Sequence, residues 1–192
     1  MIEYITVNIM QINENLILQS GDIKLSPITE ADQCALVNIA QDPRIWQYNP
    51  SFTDPDDFIE KWFNKALEHK KQGSRYPFII RYQDKPIGSS SFYDIDNDSN
   101  TVTIGYTWLH PNYWGKGINT SVKHLLLDYA FNVCKVREVY FVIDVLNLRS
   151  RAAVIKLGAK EKEIYRNHLK RPDGTMRDSV VYVMHSFSIL NI

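Results

Sequence analysis

Cysteine is scarce. Cys34 and Cys134 are the only two in 192 residues, both fall inside helix-like patterns, and neither has a second Cys or a His at metal-ligand spacing. That favours buried, reduced thiols over a disulfide framework or a zinc site, and no metal is expected. An excess of charge of either sign is also missing, since Lys plus Arg and Asp plus Glu each number 22. Without a basic excess no field draws the chain onto nucleic acid. Long hydrophobic runs are absent: the longest span a few residues, against the ~20 that a membrane helix needs. Met1 to Met10 carries Glu3 and Asn8 and no Lys or Arg, so it lacks both the charged start and the apolar middle of a secretory signal, and a cytoplasmic protein is expected. No repeat, low-complexity tract or Pro/Gly/Ser linker divides the chain, which leaves one domain over residues 1–192.

What is present is material for a core. Hydrophobic residues make up 44% and aromatics 12%, and a chain of this length can bury roughly 70% of its unfolded surface. Leu16-Ile17-Leu18 and Ile23-Lys24-Leu25, around Ser20-Gly21-Asp22, read as a strand pair. A first helix follows Thr29 and ends at Pro43. Asp54 suits an N-cap and Pro55 a first helical position, and Phe58, Ile59, Trp62, Phe63 and Ala66 continue the stripe of a second helix up to Gly73. Phe78–Ile80 and Ile87–Phe92 flank Gln83-Asp84-Lys85-Pro86 as a hairpin. Val102, Ile104, Tyr106 and Trp108 alternate with Thr101, Thr103, Gly105 and Thr107, the period of a half-buried strand. The clearest helix runs from Ile118 through Val122, Leu125, Leu126, Tyr129, Ala130 and Val133. Val139–Ile143, apolar on both faces, reads as a central strand, and strand, helix and strand in succession make a parallel crossover. A short helix Arg149–Leu157, stopped at Gly158, precedes strands Lys160–Tyr165 and Ser179–His185 around Pro172-Asp173-Gly174. The class is α/β with a mixed sheet.

The segment richest in chemistry is Leu109-His110-Pro111-Asn112-Tyr113-Trp114-Gly115-Lys116-Gly117-Ile118-Asn119-Thr120, between the alternating strand and the longest helix. Gly115 and Gly117 have no Cβ and let the backbone approach a ligand, while the unpaired N–H groups of the helix start point at it. A phosphate fits that description, and an ordinary Gly-rich turn before a helix accounts for two glycines equally well. A Walker loop needs Ser or Thr after its Lys, and Gly117 follows Lys116. A dinucleotide fingerprint needs a third Gly where Thr120 stands.

In this segment the sequence resembles the GNAT superfamily of acyl-CoA-dependent N-acyltransferases. Its signature Arg/Gln-x-x-Gly-x-Gly/Ala is framed by Trp114 to Asn119, with Trp114 in place of Arg or Gln and Asn119 in place of Gly or Ala. Tyr113-Trp114-Gly115-Lys116-Gly117 looks like the RimJ/RimL-like branch, named for ribosomal-protein N-terminal acetyltransferases. Asn147-Leu148-Arg149-Ser150, Lys156-Leu157-Gly158-Ala159, and Asp173-Gly174 with Arg177-Asp178 match that branch in order. The likeness covers about residues 14–186. It implies the GNAT fold, a mixed, mostly antiparallel sheet with a central splayed parallel strand pair and flanking helices. It also implies that acetyl-CoA lies where the strands splay. Backbone groups near Trp108 and Leu109 would then pair with the pantetheine arm, and Trp114, Gly115, Lys116, Gly117, Asn119 and Thr120 would form the pyrophosphate cradle. Asn119 can in addition cap the helix.

Acetyl transfer needs a neutral amine, an oxyanion stabiliser and a proton or hydrogen bond for the departing thiolate. Many family members place a Tyr seven residues after the Asn of the fifth-strand motif for the last task, and here that position is Val154. In the RimL-like branch a Ser three residues after the Asn is given the role, which points to Ser150 as the catalytic residue, with Asn147 beside it at the donor site. Either residue also suits a plain helix cap. His110, Asp144 and Tyr106 are candidate bases, with a solvated loop His and a structural carboxylate as the plainer readings of the first two. Asp94, Asp96 and Asp98 read as a solvated turn. Trp46, Tyr48 and Phe52 suit either an acceptor pocket or core packing. The expected partners are acetyl-CoA and a primary amine, either a protein N-terminus or a small molecule; the oligomeric state is left open, although the last two strands of such folds often join a dimer interface. The rival reading is a non-catalytic acyl-CoA sensor on the same fold.

Overall fold

The computed structural model describes residues 10, 12–49, 52 and 54–186. The Met1 to Met10 stretch, apart from Met10, lies outside the described residues. Strands β1 (Leu18–Ser20) and β2 (Ile23–Pro27) open the sheet. Thr29 then starts a helical turn, its N–H donating to the Asp32 carboxylate 2.9 Å away, and helix α1 (Gln33–Ile39) follows. Asp54 caps the next turn by accepting from the Asp56 N–H at 3.0 Å, with Pro55 at the first position as its fixed φ favours. The chain continues as one π-helical stretch, Ile59–Asn64, into helix α2 (Lys65–Lys71).

Strands β3 (Arg75–Tyr82) and β4 (Lys85–Asp96) form a hairpin whose two loop residues, Gln83 and Asp84, both have positive φ. That is the turn whose twist matches antiparallel strands. Strand β5 (Thr101–Leu109), helix α3 (Ile118–Asp128, extended by a π-helical turn Tyr129–Val133) and strand β6 (Glu138–Asp144) form the crossover. Helix α4 (Leu148–Lys156) and strands β7 (Lys160–Lys170) and β8 (Met176–His185) complete the chain.

The sheet order is β1-β2-β3-β4-β5-β6-β8-β7, antiparallel at every pairing but β5–β6. That parallel pair is short. It joins Thr101–Thr103 to Glu138–Tyr140 and stops, after which β6 bonds only to β8. Among the described residues, one edge of β5 faces no strand from Ile104 to Leu109. Helices α3 and α4 cover one face of the sheet over a core that includes Phe78, Ile80, Val102, Ile104, Val122, Leu126 and Val154. The first half of the chain covers the other face with Leu36, Trp46, Phe52, Phe58, Trp62 and Phe63 around Ile79 and Trp108.

Two sequence expectations change. Strand pairing runs further than the apolar runs at β4, β7 and β8, because a hairpin ladder satisfies backbone groups whatever the side chains. β7 is exposed over its full length and so has no apolar period to read. Of the thiols expected to be buried, Cys34 is exposed and Cys134 half-buried; α1 turns only Leu36 fully inward, which leaves Cys34 on its outer side.

Candidate active site

Strand β5 carries a bulge where it leaves β6. Gly105 pairs with Ser91 and Trp108 with Ser89, so Tyr106 and Thr107 together oppose Ser90. Tyr106 takes φ +50 there, a conformation uncommon for a bulky residue. The bulge rotates Thr107 towards α3 and Tyr106 towards the opposite face, and the open edge continues to Leu109.

At the end of that edge stands the glycine loop. His110 caps its first turn, Nδ1 accepting from the Asn112 N–H at 3.3 Å. The Trp114 indole N–H donates to the Leu109 carbonyl at 2.8 Å, which pins the loop to the strand end. Gly115 and Gly117 have φ of +72 and +77, and a Cβ at either would meet open space. Glycine is required here by backbone angle, and the space beside it is free. Gly117 is itself the N-cap of α3 and provides no side-chain cap, so the first-turn N–H groups keep about half a positive charge unneutralised. Lys116 is exposed beside them. Asn119 is not the cap: it lies inside the helix, and its side-chain oxygen is buried without a partner among the described residues. Thr120 follows, half-buried.

On the β6 side, Asn147 caps α4, its Oδ1 accepting from the Ser150 N–H at 3.1 Å. The Asn is thereby occupied by the helix, while the half-buried Ser150 hydroxyl has no protein partner among the described residues. Val154 is 4% exposed in the core. Asp144 is committed elsewhere: it accepts from Arg171 Nη2 at 2.8 Å and from the Leu146 N–H at 2.9 Å, and Arg177 lies at 3.8 Å. Asp96 accepts from the N–H groups of Asp98 and Ser99 and so organises its turn. Trp46 and Phe52 are buried in a ring cluster with Trp108, and only Tyr48 of that trio is partly open. They are core residues.

Three residues escaped the sequence reading. Arg149, next to Ser150, lays its guanidinium over the Trp114 ring, 3.7 Å from the centroid, and burial lowers its pKa. Lys123 projects from α3 into the core, 4% exposed; its Nζ meets Thr107 Oγ1 at 2.6 Å and Ser90 Oγ at 3.4 Å. Desolvation pulls that ammonium down to about 7. Arg75 lies on the other face, beneath Tyr106. For Lys123 the one available signal was a cation on the apolar stripe, one residue after Val122.

An open strand edge running into an uncapped helix N-terminus suits a long ligand with amide groups at one end and phosphates at the other. Residues 22–160 match the family model described as acetyltransferase (GNAT) domain. The uncharacterized N-acetyltransferase p20 of Bacillus licheniformis is 26% identical over 162 residues, 82% of this chain and 88% of that protein. Spermidine N(1)-acetyltransferase of Escherichia coli strain K12 is 24% identical over 141 residues, 71% of this chain and 72% of its own. Among solved structures, Mycobacterium smegmatis RimJ in complex with CoA-disulfide shares the fold at a TM-score of 0.75 and 18% identity, over 87% of this chain and 83% of that one.

Proposed function

Because the chain belongs to the GNAT acetyltransferase family, we propose that it moves the acetyl group of acetyl-CoA to a primary amine by direct attack in a ternary complex. The observation that carries this reading is the β5 edge left open after Thr103, with the Gly115–Gly117 loop at its end. Backbone groups of Trp108 and Leu109 hold the pantetheine arm. Main-chain N–H groups from Gly115 to Thr120 cradle the pyrophosphate, with Lys116 adding a full charge. Trp114, stacked under Arg149, keeps the cradle against the strand end. Asn147 positions α4, and Ser150 donates a hydrogen bond to sulfur or to another group of the donor. A Ser hydroxyl is a poor acid, so its share is modest.

Melting temperature with acetyl-CoA, CoA, ATP and NAD, each at about 100 times a plausible dissociation constant, tests the donor site. Specific binding adds about 2.7 kcal/mol. A shift with acetyl-CoA and CoA alone supports the reading, and equal shifts with ATP would overturn it. CoA release with an amine panel then separates a catalyst from an acyl-CoA sensor, which would bind without turnover.

A further inference from the structure

Two buried cations lack a carboxylate among the described residues, Lys123 and Arg75. Lys123 meets the cost of burial by losing its proton, since its pKa falls to about 7. Arg75, 3% exposed, has no such escape. Burial lowers it only to about 10, and it stays charged at neutral pH. A lone buried charge is expensive unless something opposite is brought to it.

The surroundings of Arg75 supply aromatic faces and no anion. Its guanidinium lies 3.7 Å from the Tyr106 ring centroid and 4.9 Å from that of Trp62. Stacking of this kind occupies the faces of the guanidinium and leaves its in-plane N–H groups for hydrogen bonds. Nε uses one on Ser91 Oγ at 2.9 Å, while Nη2 is buried with no partner among the described residues. Tyr93, in register with Arg75 on β4, is held neutral by a pKa raised through burial. Arg177, which also faces Tyr93, has Asp144 at 3.8 Å. A second orphan lies in the same aromatic box: the Trp108 indole N–H is buried and unbonded among the described residues, and its ring is 5.7 Å from that of Trp62. Both orphans are donors. Trp62 belongs to the π-helical stretch Ile59–Asn64, a distortion frequent at functional sites. Tyr106, 46% exposed on the bulge, covers the guanidinium from solvent.

We propose that Arg75 Nη2 and the Trp108 indole N–H are the carboxylate-binding end of the acceptor site, so that the acceptor is a small amine bearing a carboxylate a few bonds away, of the class of free amino acids. The inference rests on the acetyltransferase reading. A carboxylate admitted there by displacement of the half-exposed Tyr106 ring sits beside the Tyr106–Thr107 bulge, so a short span brings the amine to the open edge of β5. The amine nitrogen bonds to the acetyl carbon, the carbon–sulfur bond breaks, and the proton lost by the amine ends on the thiolate sulfur.

The test compares acceptors on the unaltered protein: free L-amino acids, their α-carboxamides, the corresponding decarboxylated amines, spermidine, and an N-terminal peptide. Loss of the carboxylate is expected to lower kcat/KM on the order of 100-fold, because the buried donors are left unpaired. W108F, which removes the indole donor, is expected to raise KM for the acid about 5-fold and so to narrow the preference for the acid over its carboxamide. Equal use of acids and carboxamides overturns the proposal, as does acetylation confined to spermidine or the peptide. Should none of the panel turn over, melting shifts in the presence of CoA decide: shifts with acids and none with carboxamides support it, and no shift with any acid overturns it. If acetyl-CoA itself gives no shift, the acetyltransferase reading falls and this one with it; if it does, acid–amide indifference removes the carboxylate site alone.

Discussion

Arg149 of α4 stacks on Trp114 of the glycine loop at 3.7 Å, a contact that spans the gap opened when β5 and β6 part. The helix after one strand and the loop after the other are thereby joined. R149A is expected to raise KM for acetyl-CoA about 5-fold, the equivalent of about 1 kcal/mol for such a pair, with kcat nearly unchanged. R149K should recover little, because an ammonium does not stack as a planar guanidinium does. Steady-state kinetics with acetyl-CoA varied checks both.

Gly117 at φ +77 has open space where a Cβ would go, so its replacement brings strain without a clash. G117A is expected to cost about 1 kcal/mol of stability and to weaken CoA as the first turn of α3 reorients. Titration of CoA followed by melting temperature reads both effects in one series.

Asn147 and Ser150 separate a structural role from a chemical one. N147A removes the cap of α4 and is expected to cost about 1 kcal/mol, or roughly 2–4 °C in a chain of this size. S150A should leave the melting temperature in place and lower kcat less than about 10-fold, the loss of one neutral hydrogen bond.

Asp144 is an ion-pair centre 2% exposed, held by Arg171 with Arg177 nearby. D144N leaves those guanidinium groups short of a counter-charge, and about 3 kcal/mol of destabilisation is expected. Urea unfolding measures it. A general base would behave oppositely, with turnover lost at unchanged stability.

Lys123 makes stability depend on pH. The unfolded chain keeps a proton there to about pH 10.5, the ordinary value, whereas the folded chain loses it near 7. Between those values the unfolded state holds more protons, so stability rises with pH across the window. From pH 7 to 9 the gain attributable to this group is about 2 kcal/mol. K123M should abolish that rise, and parallel urea titrations at the two pH values check it.

Much of the frame was legible in the sequence because the elements that build it are amphipathic. Val122, Leu126 and Ala130 repeat at helical spacing and face the sheet in α3. Phe78–Ile80 and Ile87–Phe92 lie in the paired hairpin strands. The glycine loop was legible for a second reason: positive φ at Gly115 and Gly117 leaves a mark in residue type. The extent of β7 was not legible, since a strand exposed on every residue has no period. Lys123 and Arg75 were missed because the significance of a buried cation lies in what is not beside it, and that is a property of packing between elements far apart in the chain. For Asn147 the sequence left a cap and a site role both open, and geometry shows its oxygen accepting from the Ser150 N–H.

The parting of β5 from β6 divides the molecule by alphabet. An unpaired strand edge offers the same row of N–H and C=O groups whichever side chains it carries, so on the proposed reading the pantetheine arm is addressed in a script that mutation can scarcely alter. The opposite face of the sheet is written in side chains: Trp62, Arg75, Tyr106 and Trp108 each change meaning with a single replacement. If that face holds the acceptor as proposed, drift there retargets it while the grip on the pantetheine arm stays legible, which lets one scaffold diversify its clients without renegotiating its fuel.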